Sequence, residues 1–163
     1  MSVNAGSSTL LFWVRIGAME TIYHTTSAEE TRSLGKELSQ KVAPKTLLCL
    51  RGELGSGKTT FTQGLLEGLG AEKPFVSPTF VIMKEYELKI PTKTGIERIY
   101  HTDAYRVEEK DFETIGFSEW CADPKGIVIL EWPERISGIL PKGALNLSFK
   151  ALSENERRIT FSK

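Results

Sequence analysis

Cysteine is scarce in this chain, and neither cysteine belongs to a pattern that points to a disulfide or a metal. The 163 residues include two cysteines, Cys49 and Cys121. Cys49 lies within the apolar run 47–50, so we expect a small, buried hydrophobic side chain. The sequence has no Cys/His spacing of the kind that binds zinc. These features exclude a disulfide-stabilised secreted domain and favour a reducing, cytoplasmic location.

An excess of charge of one sign is absent as well. The chain carries 21 lysines and arginines against 21 aspartates and glutamates. Because phosphate contacts dominate affinity for nucleic acids, proteins that grip RNA or DNA directly are usually basic. The balanced charge therefore argues against tight, direct binding of nucleic acid as the main activity.

Long hydrophobic runs are also lacking. The stretch 9–19 is apolar, but Arg15 interrupts it, no basic segment precedes it, and it is too short to cross a bilayer. We therefore expect neither a signal peptide nor an association with a membrane. Residues 1–18 are predicted to form a peripheral N-terminal extension, and residues 19–163 a single domain.

Hydrophobic periodicity predicts that this domain is of the α/β class with a mixed sheet. Ser27 and Glu30 form a capping-box pattern, apolar positions at helical spacing follow it, and Pro44 would end that helix. Continuous apolar runs are typical of strands that are covered on both faces. Helices are predicted at 28–41, 58–69 and 107–120. Strands are predicted at 46–50, 80–88, 96–100 and 127–130, with a hairpin between the second and third of them and a closing antiparallel pair that contains Leu147 and Ile159.

A glycine-rich segment, 52–59, matches the P-loop pattern G-x-x-x-x-G-K-[ST] in full. Its glycines allow positive φ angles and bring backbone N–H groups close to phosphate oxygens, and the following helix directs its N-terminal dipole at the same anion. The predicted strand before the loop and the helix after it are the context that the motif requires. We therefore predict a P-loop NTPase-like three-layer fold with a central mixed β-sheet. The expected nucleotide contacts are Glu53, Leu54, Gly55, Ser56, Gly57, Lys58, Thr59 and Thr60.

The P-loop also predicts catalytic and metal-binding groups. Lys58 would supply a positive charge to the β- and γ-phosphates, and the Thr59 hydroxyl would ligate Mg²⁺. P-loop proteins further need an acid, usually at the end of a neighbouring apolar strand. Glu131 and Asp103 each end such a strand, and each could instead be a solvated strand-end carboxylate. As a pair, one would serve the metal and the other would orient the attacking water.

Two motifs of other P-loop classes are missing. The guanine-reading sequence Asn-Lys-x-Asp does not occur, so ATP is the expected nucleotide. No arginine-rich segment is present that would form the lid of a small-molecule kinase. Such a kinase remains the alternative to an ATP hydrolase, and a nucleotide-binding subunit without turnover is a third possibility.

Three further motifs follow the P-loop in the chain: Ser77-Pro78-Thr79-Phe80, His101-x-Asp103-x-Tyr105-Arg106 and Glu131-Trp132-Pro133-Glu134. In this order they resemble the bacterial TsaE family, and the resemblance covers residues 21–141. Members of that family are ATPases required for making threonylcarbamoyladenosine in tRNA. The first eighteen residues depart from the short N-terminus that is usual in the family. We expect them to be dispensable for nucleotide binding.

The resemblance implies roles for individual side chains. Thr79, in the family's first switch-like segment, would contact phosphate or metal, and an ordinary proline turn is the alternative. Asp103 matches the family's catalytically important aspartate, and Glu131 matches its Mg²⁺-linked glutamate. Trp132 directly follows that glutamate and is assigned to the nucleotide site, with a core or surface aromatic as the alternative.

The resemblance also implies a function and partners. The chain is expected to bind and slowly hydrolyse Mg²⁺-ATP and to act as a switch on the proteins TsaB and TsaD, the latter of which performs the threonylcarbamoyl transfer. Contact with tRNA would be indirect. Tyr105 and Arg106 would contact the partner or sense phosphate. His101 is expected to be a packed strand residue, because phosphoryl transfer depends on positioning more than on a strong base.

Overall fold

The computed structural model describes residues 2–4, 20–78 and 82–163, and these residues form an eight-stranded mixed sheet. The central strands are parallel to one another, and both outer parts of the sheet contain antiparallel pairs. The strands are β1 (Ser2–Asn4), β2 (Thr21–Thr25), β3 (Leu47–Arg51), β4 (Met83–Glu87), β5 (Arg98–Asp103), β6 (Gly126–Glu131), β7 (Leu145–Ala151) and β8 (Arg157–Ser162). Their order across the sheet is β1-β2-β8-β7-β3-β6-β5-β4. The carboxyl ends of β3, β6 and β5 therefore meet at one edge.

Helices cover both faces of this sheet. They are α1 (Ala28–Ser39), α2 (Lys58–Leu69), α3 (Glu109–Thr114) and α4 (Phe117–Ala122), with a 3₁₀ segment at Pro133–Ile139. Leu48 and Leu50 of β3 pack with α1 and α2, whereas Leu47 and Cys49 pack with α3 and α4. Alternate side chains of one strand enter opposite cores because successive residues point to opposite faces. The predicted three-layer fold is confirmed.

Two predicted features of the core are also confirmed. The thiol of Cys49 is fully buried, and burial raises its pKa to about 12. The expected antiparallel pairs are present as β4–β5 and β7–β8. Among the described residues, no helix has the length and apolar character needed to cross a bilayer.

The predicted capping box is formed in part. The Ser27 side chain accepts a hydrogen bond from the Glu30 N–H at 3.1 Å, as predicted. The Glu30 carboxylate instead accepts from the N–H of Thr26 at 2.7 Å, one residue before the expected donor. The helix that begins here ends at Ser39, two residues short of the predicted Lys41.

The prediction of a single helix over 107–120 is wrong. Gly116 has a φ of 98° and separates α3 from α4. A residue in the left-handed region cannot continue a right-handed helix. The resulting bend lets Phe112 and Phe117 pack edge to face, with ring centroids 5.4 Å apart. The segment therefore covers its face of the sheet with two short helices.

The N-terminal extension contributes an edge strand. β1 pairs in parallel with β2 at the end of the sheet. Residues 5–19 lie outside the described residues. Phe80, the predicted first residue of the strand over 80–88, also lies outside them. The dispensability of residues 1–18 for nucleotide binding remains a prediction.

Close contact between α1 and α2 positions the helix that follows the P-loop. A Cβ atom at Gly64 would overlap the carbonyl oxygen of Arg32, and one at Gly35 would overlap that of Phe61. Glycine at both positions lets the two backbones touch. The amino end of α2 is thereby held in place against the sheet.

A half-buried ionic cluster at the opposite end of β5 fixes that strand against β6. Arg98 donates from Nε and Nη2 to the two carboxylate oxygens of Asp123, at 2.6 and 2.8 Å. The Tyr100 hydroxyl donates to the same carboxylate at 2.9 Å. The hydrogen bonds from Arg98 hold the pKa of Asp123 well below its usual range. The cluster ties β5 to the turn before β6 and so supports the register that sets Asp103 beside Glu131.

Candidate nucleotide-binding site

The loop 52–57 joins the carboxyl end of β3 to the amino end of α2. Gly52, Gly55 and Gly57 have φ angles of 142°, 76° and 105°, where other residues are strained. A Cβ atom at Gly52 would also lie 2.5 Å from the carbonyl oxygen of Phe149. The glycines let the loop wrap around the start of α2, whose first N–H groups have no helical acceptor and favour an anion. The loop has the backbone conformation of a phosphate cradle.

Lys58, the first residue of α2, is folded back over this loop. Its side chain is buried, and Nζ donates to the carbonyl oxygens of Gly52 and, at 3.0 Å, of Glu53. The same Nζ lies 4.4 Å from the centroid of the Trp132 ring. Burial lowers the pKa of Lys58, and nearby carboxylates, led by Glu131, oppose that shift. An ammonium group held by carbonyls and a ring can exchange these contacts for phosphate oxygens, which form stronger, charge-assisted bonds.

Asp103 and Glu131 end adjacent parallel strands and stand directly opposite each other in the register. Their side chains lie in the same cleft as Lys58 and Thr59. The two acids are only 4% and 3% exposed, so neither is a solvated strand-end carboxylate. Two buried carboxylates repel each other unless a cation lies between them or close by. The pair therefore suits a divalent metal bound next to phosphate.

His101 orients one of these acids. It lies on β5 and is buried, and its Nε2 is 3.0 Å from Oε1 of Glu131. Its Nδ1 has no hydrogen-bond partner within the described ranges. His101 is thus the packed strand residue that was expected, and it also fixes the direction of the Glu131 carboxylate. Side chains that hold a metal ligand in this way tune the ligand's geometry.

The Trp132 backbone is strained in a way that places its ring at the site. Its φ of 58° and ψ of 48° are left-handed, a conformation that costs a non-glycine residue about 1–3 kcal/mol. Its N–H donates to the Leu50 carbonyl at 3.2 Å, and its ring packs against Tyr105 with centroids 4.9 Å apart. These contacts hold the indole over Lys58. Such strain is concentrated at functional sites in proteins.

These groups meet in one cleft of about 440 Å³, which contains nearly all of the predicted site residues. It is lined by Leu54, Gly55, Ser56, Gly57, Lys58, Thr59, Thr60, Ser77, Asp103, Tyr105, Arg106, Glu131, Trp132 and Arg157. Glu53 is not part of the lining, and its carbonyl contacts Lys58 instead. Thr79 lies outside the described residues. Arg157 was not predicted, because it follows the P-loop Gly55 by 102 residues and belongs to no local motif.

The cleft fits a magnesium nucleotide. The buried ammonium group of Lys58 and the N–H groups without a helical acceptor at the start of α2 are donors that suit a triphosphate. The described residues hold no group of three or more His, Cys, Asp or Glu side chains that could bind a metal alone. Mg²⁺ commonly takes only one or two carboxylates and completes its shell with phosphates and water, so Thr59 and Glu131 are a suitable set.

The fold, the loop between β3 and α2 and the acids at the ends of β5 and β6 define a P-loop protein of the α/β class. The family model described as threonylcarbamoyl adenosine biosynthesis protein TsaE matches residues 25–159. This chain belongs to the TsaE family. The resemblance carried by the three motifs is therefore confirmed.

Individual relatives and a solved structure agree with this assignment. A curated protein from Bacillus subtilis, named tRNA threonylcarbamoyladenosine biosynthesis protein TsaE, is 38% identical over 140 residues, or 86% of this chain and 84% of the relative. A protein of the same name from Aquifex aeolicus is 35% identical over 136 residues, or 82% and 89% of the two chains. The crystal structure of YdiB from Bacillus subtilis superposes with a TM-score of 0.68 at 32% identity, covering 90% of this chain and 87% of that one.

Proposed function

We propose that this protein binds Mg²⁺-ATP in the cleft, hydrolyses it slowly, and acts as a nucleotide-dependent switch on the TsaB–TsaD complex during formation of threonylcarbamoyladenosine in tRNA. The observation that carries this proposal is the meeting of a glycine-rich phosphate cradle with two buried carboxylates at one edge of the sheet. Membership of the TsaE family supports the pathway, because curated relatives carry its name.

Each side chain at the cleft has a separate task in this proposal. Lys58 binds the β- and γ-phosphates. Thr59 and Glu131 would hold Mg²⁺, which would supply positive charge next to the phosphate oxygens. Asp103 orients the attacking water, and its own carboxylate is fixed by the N–H of Tyr105 at 2.8 Å. Because Lys58, Glu131 and Asp103 are buried, their electrostatic interactions are stronger than they would be in water.

The surface around the cleft supports binding of a protein partner. Leu54 is 75% exposed, Val76 46% and Tyr105 38%, and we call these three residues the apolar rim. Leu54 and Tyr105 line the cleft, and Val76 directly precedes Ser77, which also lines it. Clustered exposed apolar side chains mark interaction sites. A partner docked on the apolar rim would touch the same loops that surround the nucleotide and could therefore respond to its state.

The remaining properties agree with an indirect role in tRNA modification. The net charge is zero, so we propose that TsaB–TsaD, and not this chain, holds the tRNA. Both cysteines are free thiols. We propose that the protein acts in the reducing cytoplasm, where such thiols persist.

The proposal predicts that partners accelerate hydrolysis. The isolated protein should release phosphate slowly from Mg²⁺-ATP, and the TsaB–TsaD pair should raise the rate severalfold or more by ordering the segments that surround the γ-phosphate, as activators of other P-loop enzymes do. Phosphate release would be followed with and without the pair at matched concentrations.

Val76→Asp, a change in the apolar rim, should reduce the stimulation of phosphate release by the TsaB–TsaD pair. Ile90→Asp is the matched control, because Ile90 is 80% exposed but lies in the β4–β5 turn, at the opposite end of the sheet.

Three outcomes would contradict the proposal. An unchanged rate, together with no ATP-dependent complex, would remove the switch. Transfer of phosphate to a small acceptor in place of water would favour a kinase. Tight nucleotide binding with no phosphate release under any condition would favour a binding subunit without turnover.

A further inference from the structure

Arg157 is a cation beside the P-loop for which no role in the site has been assigned so far. It is the first residue of β8, and it lines the cleft. Its Nη2 donates to the Gly55 carbonyl of the P-loop at 3.2 Å. Its Nη1 donates to the carbonyls of Ser153, Glu154 and Glu156 in the β7–β8 turn, at 2.9, 3.0 and 3.0 Å. Among the described residues no carboxylate forms an ion pair with it, and its guanidinium donates to backbone carbonyls.

The order of the sheet gives the cleft two distinct ends. β3, which leads into the P-loop, has β6 and β5 on one side and β7 and β8 on the other. The first side carries the buried acids Glu131 and Asp103, and the second carries Arg157. In the proposed function the metal and the terminal phosphate lie with the acids. The base of a nucleotide bound across the P-loop would then lie on the β7–β8 side.

We propose that Arg157 forms the base-binding end of the cleft, with its guanidinium plane against the purine ring. The planar, weakly hydrated guanidinium stacks well on aromatic faces, and carbonyl contacts along its edge leave its face open. The contact with Gly55 ties this end of the cleft to the phosphate cradle. The side chain also passes close to the start of α2, since a Cβ at Gly57 would lie 3.6 Å from its Nε. Stacking does not distinguish the edges of bases, so Arg157 contributes equally to adenine and guanine nucleotides.

This inference rests on the proposed function, and binding measurements can separate the two. Calorimetry would compare Mg²⁺-ATP, Mg²⁺-ADP, Mg²⁺-GTP and Mg²⁺-tripolyphosphate, which lacks a base. In Arg157→Gln we expect Kd to rise about 2- to 30-fold for the three nucleotides, the range of an Arg–aromatic contact, and to stay unchanged for tripolyphosphate. Arg158→Gln is the matched control, because Arg158 follows on β8 and does not line the cleft.

Arg157→Lys provides a second variant that keeps the charge and can still donate to a carbonyl. It should leave tripolyphosphate binding unchanged and restore nucleotide affinity only in part, because an ammonium group lacks the stacking plane. Equal weakening of tripolyphosphate and ATP in Arg157→Gln would overturn the inference, since Arg157 would then act on the phosphates, and the proposed function would stand. Full recovery of ATP affinity in Arg157→Lys would also overturn it. Failure of the unaltered protein to bind ATP would refute the proposed function itself.

Discussion

Replacing Glu131 with glutamine is expected to lower ATP turnover by about 100- to 1,000-fold, while the affinity for ATP changes far less. The change removes the charge that would hold the metal where negative charge develops. It keeps the size of the side chain and its ability to hydrogen-bond to His101 Nε2. Phosphate release in the presence of TsaB–TsaD would report turnover, and calorimetry would report the Kd for ATP. Asp103→Asn should likewise lower turnover far more than the affinity for ATP, because it removes the group that orients water.

Glu87→Gln is a suitable control for the loss of a carboxylate. Glu87 is an exposed residue at the end of β4. In the sheet its backbone lies opposite that of Arg98 at the start of β5, far from the carboxyl ends of the parallel strands. It should leave both turnover and affinity unchanged. If Glu131→Gln weakens binding and turnover by the same factor, the acid acts in binding alone. If it changes neither, Glu131 is not part of the site.

Replacing Lys58 with methionine is expected to weaken ATP binding by about 10- to 150-fold, because a hydrogen bond to a charged group contributes about 1.5–3 kcal/mol. Turnover should fall further, since the charge on the transferred phosphoryl group loses its nearest cation. Methionine nearly keeps the length of the stem and its contact with the Trp132 ring. The loss therefore reports the missing charge and not a cavity. Kd and phosphate release would be measured on the same preparation.

Lys93→Met is the matched control for Lys58→Met, because Lys93 is exposed in the β4–β5 turn at the opposite end of the sheet.

Thr59→Ala tests the hydroxyl group next to Lys58. It should weaken binding measured with Mg²⁺ and have little effect without the metal, since it removes a metal ligand and no phosphate cation. Wild-type hydrolysis in both Lys58→Met and Thr59→Ala would show that the cleft is not the nucleotide site.

Local sequence patterns were sufficient to predict the parts of the site that are close together along the chain. The P-loop needs specific φ angles at Gly55 and Gly57, and the helix that follows begins at Lys58. The sequence of this one short segment is therefore enough to predict its backbone conformation. The acids could be predicted because a P-loop protein needs an acid at the end of a neighbouring apolar strand, and Asp103 and Glu131 each end such a strand. That argument requires only the positions of the strands, which continuous apolar runs indicate.

Contacts between distant segments could not be predicted in this way. The bond between His101 and Glu131 depends on the register of β5 against β6, which no local pattern specifies. The position of Arg157 depends on β7 and β8 folding back beside β3. The break at Gly116 was missed because a single glycine is tolerated within a helical pattern, and only its φ of 98° shows that it ends one here.

A crystal structure with Mn²⁺ and a non-hydrolysable ATP analogue would test most directly whether this cleft is a metal–nucleotide site. We expect the triphosphate to lie along the loop 52–57 and the start of α2, with Lys58 turned from the Gly52 carbonyl toward the phosphates. The anomalous signal of Mn²⁺ should lie next to the Thr59 hydroxyl and reach Glu131 directly or through one water, the arrangement that Mg²⁺ favours beside phosphate. A triphosphate bound elsewhere, or a metal away from both Asp103 and Glu131, would contradict the account.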